Sequence, residues 1–584
     1  IFLISSCSSI DVAIEEPNEN NSVDENLKFE TYLNEDWEIY LNENPLFASY
    51  VGDKRFNDKI KSNSIDVFND SKKSDTSSLN KLRQINQSIL SDENKLNYKL
   101  KEFDLLNNIE SKEFPTYYLR LNQRGGIQSF YETGNRLVYT SKKDYLDWLS
   151  RLEQFSQNIN TSLEINKKGL ANKITQPKLV TEAVIAQINA ILESDIENNP
   201  YMKVFLEADE NILSSNEKNS LIERAEDLIV NKINPAYKQL NDFLIKEYLP
   251  QSRNSIGISG VPGGKEYYEY LTRYFTTTNL TPDEIHDLGL KEIKRIRSEM
   301  EDIIKKVEWE GDFDSFLNYL RTSPRFYYDN PEDLFNAYLI MSKTIDPLLP
   351  KIFKTFPRAP YGVIPIPDES APFTTTAYYN SPSPGRPGYF YANLYKPESR
   401  PKYEIPVLTV HEAVPGHHFQ ISIAQELENV PIFRKYMGIT AFIEGWGLYS
   451  EELGDHIGLY EDPYDKFGQL TYDMWRAIRL VVDTGMHYKD WSREDAIKLF
   501  VDNSAKSLLD IENEVDRYIA WPGQALAYKI GQLKILELRN KAQSMLGDLY
   551  DIKDFHHEVL KRGSLPLDLL EFYIDDWIES TLDS

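Results

Sequence analysis

From about residue 29 to 254 the chain repeats one pattern, apolar residues three and four positions apart with charged residues between them. That spacing draws an apolar stripe along a helix. Between residues 141 and 155 the stripe is carried by Tyr145, Trp148, Leu149 and Leu152, and residues 201–248 hold two or more further stretches of the kind. Such segments bury their stripes helix against helix. Thr281-Pro282-Asp283-Glu284 marks another helix start, with an N-cap, a first-turn proline and acids at the positive end. No fixed-period repeat is present, which argues against a solenoid.

Two stretches break this texture. Residues 256–265 (IGISGVPGGK) are glycine-rich but lack the Gly-Lys-Ser/Thr ending of a phosphate loop, and they read as a turn. Residues 357–406 are dense in Pro, Tyr and Thr. Within them, 373–379 and 389–394 (YFYANL) are aromatic and β-branched, and short strands are expected there. From Val407 helices return, punctuated by Pro522-Gly523 and Pro566. The expectation is a mainly α fold with a small β-sheet near residue 400.

Charge narrows the partners. The 584 residues carry 65 Lys+Arg against 92 Asp+Glu, a formal charge of −27. A chain so acidic is unsuited to a sequence-independent grip on nucleic acid, which needs clustered cations. Hydrophobic residues at 41% and aromatics at 12% suffice for a large core. A single cysteine rules out a disulfide within the chain. No stretch approaches the roughly 20 apolar residues of a membrane-spanning helix.

That cysteine is informative by position. Ile1-Phe2-Leu3-Ile4-Ser5-Ser6-Cys7 resembles the end of a bacterial lipoprotein signal, in which Cys7 would receive the lipid. Residues 8–28 are polar and expected to form a flexible tether, leaving 29–584 as the folded body. The expected location is the bacterial envelope, facing the periplasm or exterior, with membrane contact through the lipid alone.

Three of the eight histidines fall in His411-Glu412-Ala413-Val414-Pro415-Gly416-His417-His418. Clustered imidazoles beside a carboxylate are what one Zn²⁺ ion needs, with water at its open position and a neighbouring Glu as base. The simple arrangement has two histidines at i and i+4 on one helical face. Here the second is late. On an unbroken helix His418 would return to within about 20° of His411, and His417 would lie about 120° away. Pro415, however, has no N–H to offer His411, and Val414 before it is pushed out of helical geometry. The helix must bulge or break, so both His417 and His418 stay candidates, with His417 preferred. The third ligand is expected at Glu444 in AFIEGWGLYSEE, where an unpaired carboxylate would be costly among apolar residues. Glu451, two turns on, is placed behind a ligating histidine. Glu412 is the expected base.

In WRAIRLVVDTGMHYKDW, Arg479, Asp483 and His487 share a helical face. His487 is assigned to oxyanion stabilisation with Asp483 fixing its tautomer. Tyr391, in the strand before the metal segment, is assigned to substrate, which would pair along that strand's open edge. Tyr378 and Tyr379 would wall the pocket, and Arg517, with Tyr518 beside it and Lys529 as a weaker candidate, would meet a carboxylate. His556-His557 reads as a surface pair.

HEAVPGHHFQ, EGWGLYSEELG, RLVVDTGMH with WSREDAI, and RYIAWPGQALAYKIGQLKI together resemble a large bacterial family of zincin-like proteins of unknown function, many of them predicted lipoproteins. The similarity runs from about residue 30 to the C-terminus, with the metal-site core at 370–535. More distantly the chain is similar to the helical gluzincin peptidases carboxypeptidase Taq, angiotensin-converting enzyme and thimet oligopeptidase. Those carry the shorter HExxH spacing. The resemblance implies an elongated helical fold with a deep channel, zinc on two His and one Glu, a Glu base, and a Tyr hydroxyl for the intermediate, for which Tyr528 is the match. It implies a zinc-dependent peptidase of short peptides. The alternatives are a metal-dependent hydrolase of non-peptide amides or esters, and a non-catalytic metal-binding envelope lipoprotein.

Overall fold

The computed structural model describes residues 19–584 apart from 369 and 370, so Cys7 lies outside the described residues. The fold is mainly helical with one three-stranded sheet, as the patterning predicts. Helix α1 (Glu19–Glu43) starts inside the stretch expected to be a tether. Its apolar face carries Phe29, Tyr32 and Leu33 into a cluster with Leu79, Leu82 and Tyr98. Asn26 accepts from the Ser91 N–H at 3.1 Å and from the Asn94 amide at 2.8 Å, so polar residues taken for a tether dock the helix instead. The long helix α2 (Lys142–Ala171) packs Trp148, Leu152 and Phe155 into a second cluster.

Next come α3 (Pro282–Lys306) and strands β1 (Tyr361–Pro365), β2 (Ala377–Asn380) and β3 (Gly388–Ala392). The sheet order is β1-β3-β2: β3 runs parallel to β1 in the register Tyr361↔Gly388, and antiparallel to β2 in the register Tyr378↔Tyr391. The strand holding Tyr391 is therefore central. Both its edges are taken, which overturns the expected pairing of substrate along it. Strand β1 escaped the sequence reading because its YGVIP segment has too little alternation to stand out. Residues 371–373 form a 3₁₀ turn, not strand.

The site is built by α4 (Ile405–Glu412), α5 (His417–Gln425), α6 (Thr440–Ile457), α7 (Pro463–Tyr488), α8 (Leu508–Ala520) and α9 (Ala527–Leu546). Helices α6 and α9 touch backbone to backbone. A Cβ on Gly445 would sit 2.5 Å from Gly531 Cα, and one on Gly531 would collide with the Ala441 carbonyl. Helix α7 is buried from Phe467 to His487 and packs along α3. Among the described residues no helix is long and apolar enough to cross a membrane. His556 is fully enclosed, between the Ile352 carbonyl and the Tyr449 hydroxyl, so the expected surface pair is half core.

Candidate metal centre

The proline acts as anticipated. Helix α4 stops at Glu412, and α5 begins at His417 after a turn with Ala413 at φ −99, ψ −106. The Gly416 N–H reaches the Val410 carbonyl at 2.9 Å, and a Cβ at Gly416 would collide with the carbonyls of Val410 and His411. Trp446 of α6 clamps the turn by donating from its indole to the Pro415 carbonyl at 2.8 Å. Chain folded back this tightly returns His417 to His411, with ring centroids 4.7 Å apart and planes nearly perpendicular at 83°.

The close approach of α6 to α9 sets Glu444 against the same point. His417 Nε2 lies 3.3 Å from Glu444 Oε2. One ligand atom from each of His411, His417 and Glu444 falls within 4.8 Å of the others, the one such group of three among the described residues. Gly447, one turn along α6, forms the floor: a Cβ there would lie 2.9 Å from His411 Cε1 and 3.1 Å from His417 Cε1. His418 points elsewhere. Its Nε2 donates to the Ala359 carbonyl at 3.0 Å and its Nδ1 accepts from the Tyr379 hydroxyl at 2.8 Å, tying α5 to the sheet. Tyr379 is thus a strut, and Tyr378 stacks on Tyr391 at 4.6 Å.

The donor set suits a cation. His417 Nδ1 is buried without a hydrogen-bond partner. Burial opposes charge on His417, yet Glu444 and Glu412 outweigh it and hold its pKa above the ordinary range. On Glu444 burial works upward, and His417, Arg479 and Tyr528 together bring the carboxyl below its usual value. Burial, with His417, Arg476 and Arg479, keeps His411 far below the ordinary histidine range and so neutral. A neutral imidazole, a second imidazole and a carboxylate converging on one point are a zinc-type ligand set.

Behind the candidate ligands, His411 Nδ1 meets Glu451 Oε1 at 2.7 Å, and Arg476 Nη2 reaches the same oxygen at 3.3 Å. This leaves His411 Nε2 for the centre. Burial pushes the Glu451 carboxyl up to about 8, with Arg476 the main opposing influence. Arg476 was missed in the sequence reading. Its signal was two arginines, Arg476 and Arg479, inside the otherwise apolar stretch 474–482, each in need of an internal partner. Glu412 is buried beside the triad; burial pushes it up to about 7, with His417 pulling down, Glu444 pushing up and Arg476 pulling down. A carboxyl titrating near neutrality is matched to general-base work.

Tyr528 lies with Arg479 4.5 Å over its ring, and the Glu444 charge acts on its hydroxyl. Other assigned residues are used up elsewhere. His487 is fully buried; Nδ1 accepts from the Ile258 N–H and Nε2 donates to the Tyr518 carbonyl, both at 3.0 Å. It has no nitrogen left for an oxyanion. Asp483 does not reach it, accepting instead from the Tyr268 hydroxyl at 2.5 Å and the Gly523 N–H at 3.0 Å. Tyr518 is enclosed: its hydroxyl takes Arg479 Nε at 2.7 Å and donates to Glu514 at 2.7 Å, so it cannot touch substrate. Lys529 is internal, on Asp473 at 2.6 Å and Glu292 at 3.2 Å. Arg517 is the exception and stays on the Tyr528 flank of the centre, paired with Gln524 and sharing Glu514 with Arg479.

A crystal structure of a candidate lipoprotein from Colwellia psychrerythraea superimposes on 95% of this chain and 99% of that chain, with a TM-score of 0.89 at 27% identity. A candidate lipoprotein of unknown function from Shewanella oneidensis shares the fold, at a TM-score of 0.73 and 18% identity over 93% of this chain and 99% of that one. No curated protein matches. Residues 45–574 match the family described as bacterial protein of unknown function, DUF885, and the chain belongs to that family.

Proposed function

We propose that this chain is a zinc-dependent metallopeptidase of short peptides, anchored to the bacterial envelope through a lipid on Cys7. The observation that carries the reading is the convergence of His411, His417 and Glu444 within 4.8 Å, with Glu412 beside them. Zn²⁺ held by these three would supply a Lewis acid for water and carbonyl and leave one position open. Glu412 takes the proton of the attacking water on its carboxylate and returns it to the leaving nitrogen. Glu451, through Nδ1, holds the His411 ring in place. The Tyr528 hydroxyl, on the Glu444 side of the site, donates to the oxygen on which charge develops. The anchor is supported by the Cys7 segment and by the two candidate lipoproteins of like fold.

The test is digestion of a mixed peptide library by the zinc-supplemented protein and its Glu412→Gln variant, read by mass spectrometry beside zinc content. Cleavage by wild type, lost in a variant that keeps its zinc, is expected. Equal cleavage by both would remove Glu412 as base. No cleavage by fully loaded wild type would shift the reading to non-peptide amides or esters, or to binding alone.

A further inference from the structure

One flank of the centre holds more positive charge than its own carboxylates balance. Glu514 of α8 receives two arginines: Arg479 through Nη2 at 3.0 Å, and Arg517 through Nε at 3.2 Å and Nη2 at 3.1 Å. Each arginine is only 7% exposed. The other partners of the pair, the Tyr518 hydroxyl and the Gln524 amide, are neutral. Arg479 Nη1 is buried and has no hydrogen-bond partner.

A third guanidinium comes from far along the chain. In the turn of residues 122–126, Gln123 donates to the Asp516 carbonyl at 3.0 Å and so fastens the turn beside Arg517. Arg124 is accessible, and among the described residues its side chain makes no ion pair or hydrogen bond. Surrounding protein atoms partly desolvate its guanidinium and lower its pKa although the side chain stays exposed, and the next influences on it are Arg517, Glu514 and Tyr528. Acids nearby are engaged: Glu132 with Arg136 at 2.6 Å and Asp516 with Arg493 at 2.6 Å. Two guanidiniums on one carboxylate with a third fastened beside them, and one idle buried N–H among them, is a costly arrangement for a protein to keep unliganded.

We propose that a substrate carboxylate binds between Arg124, Arg479 and Arg517, on the Tyr528 side of the centre. Its role in positioning a scissile bond rests on the peptidase reading; the binding itself does not. The carboxylate accepts from Arg479 Nη1 and takes the planar fork of Arg124, a match for its two oxygens. Because Tyr528 adjoins both Arg479 and Glu444, the bond presented to Glu412 lies close to the carboxylate, which selects short peptides cut near one end. A free C-terminus and an Asp or Glu side chain offer the same group.

Calorimetric titration of the full, metal-stripped chain distinguishes these. The probes are Ala-Ala-Ala-Ala as free acid, the same peptide as C-terminal amide, and Ala-Ala-Glu-Ala amide. The free acid is expected to bind about tenfold or more tightly than its amide, the scale of a charge-assisted hydrogen bond. In Arg124→Met, at an exposed position outside the core, that advantage shrinks to about threefold or less while amide affinity holds. If the Glu-containing amide matches the free acid, the carboxylate is a side chain's. Equal affinity for all three probes, or no measurable binding of any, overturns the proposal. Hydrolysis by the zinc-loaded protein is scored in parallel: a preference without cleavage keeps the pocket and removes the peptidase reading, and cleavage without preference does the reverse.

Discussion

His411 Nδ1 lies 2.7 Å from Glu451 Oε1, and Arg476 approaches the same oxygen at 3.3 Å. The chain His411–Glu451–Arg476 is wholly internal, so the carboxylate orients the ring and is itself held by a guanidinium from a third helix. Its two ends lie in different settings, the candidate metal centre on one side and helix packing on the other.

Glu451→Gln keeps the shape and removes the carboxyl that faces His411 Nδ1. Zinc affinity, measured by competition with a fluorescent chelator, should fall by about 10–100-fold. Glu451→Ala should in addition lower unfolding stability by roughly 3–5 kcal/mol in urea, because Arg476 is left buried without its partner.

Gly447 has no room for a side chain, since a Cβ would stand 2.9 Å from His411 and 3.1 Å from His417. Gly447→Ala should spread the two imidazoles and cut bound zinc well below the wild-type level. The metal-free fold should lose only about 1–3 kcal/mol, the usual cost of modest overpacking. Zinc analysis beside thermal melts of the stripped proteins separates the two effects.

His487 should behave as a structural residue. Burial, against the raising effect of the Tyr518 carbonyl, pushes its pKa down to about 4, and Nδ1 must stay unprotonated to accept from Ile258. The unfolded residue takes a proton below about 6.5 and the folded one only below about 4, so in that window the unfolded state holds more protons and stability falls as pH falls. Wild type should therefore lose up to about 1.4 kcal/mol per pH unit relative to His487→Gln between pH 6 and 5. Urea unfolding at both pH values reads this, and unchanged zinc affinity in the variant is the second expected result.

Tyr528→Phe removes only the hydroxyl from a ring that Arg479 covers. If the hydroxyl stabilises the developing oxyanion, kcat should fall by about 10²–10³ with zinc content and KM little changed. A variant that raises KM alone would reassign Tyr528 to substrate binding.

The helical architecture, the break at Pro415 and the histidine-rich segment were legible in the sequence because each rests on local rules: periodicity, a missing N–H, a cluster of ligating side chains. Even Glu444 stood out, as an acid among apolar neighbours with glycines beside it. Which histidine joins His411 could not be read that way. It depends on how Trp446 and the Val410 carbonyl fold the turn back, and those contacts join residues up to 31 positions apart. The same holds for His487 and Tyr518, whose sequence context looks catalytic but whose polar atoms are consumed by Ile258, Arg479 and Glu514. A side chain's local spacing states which face it shares; only packing decides whether its donors and acceptors remain free. Tyr391 shows this in the sheet, where parallel pairing with β1, set by contacts across 27 residues of sequence, closed an edge that strand propensity alone left open.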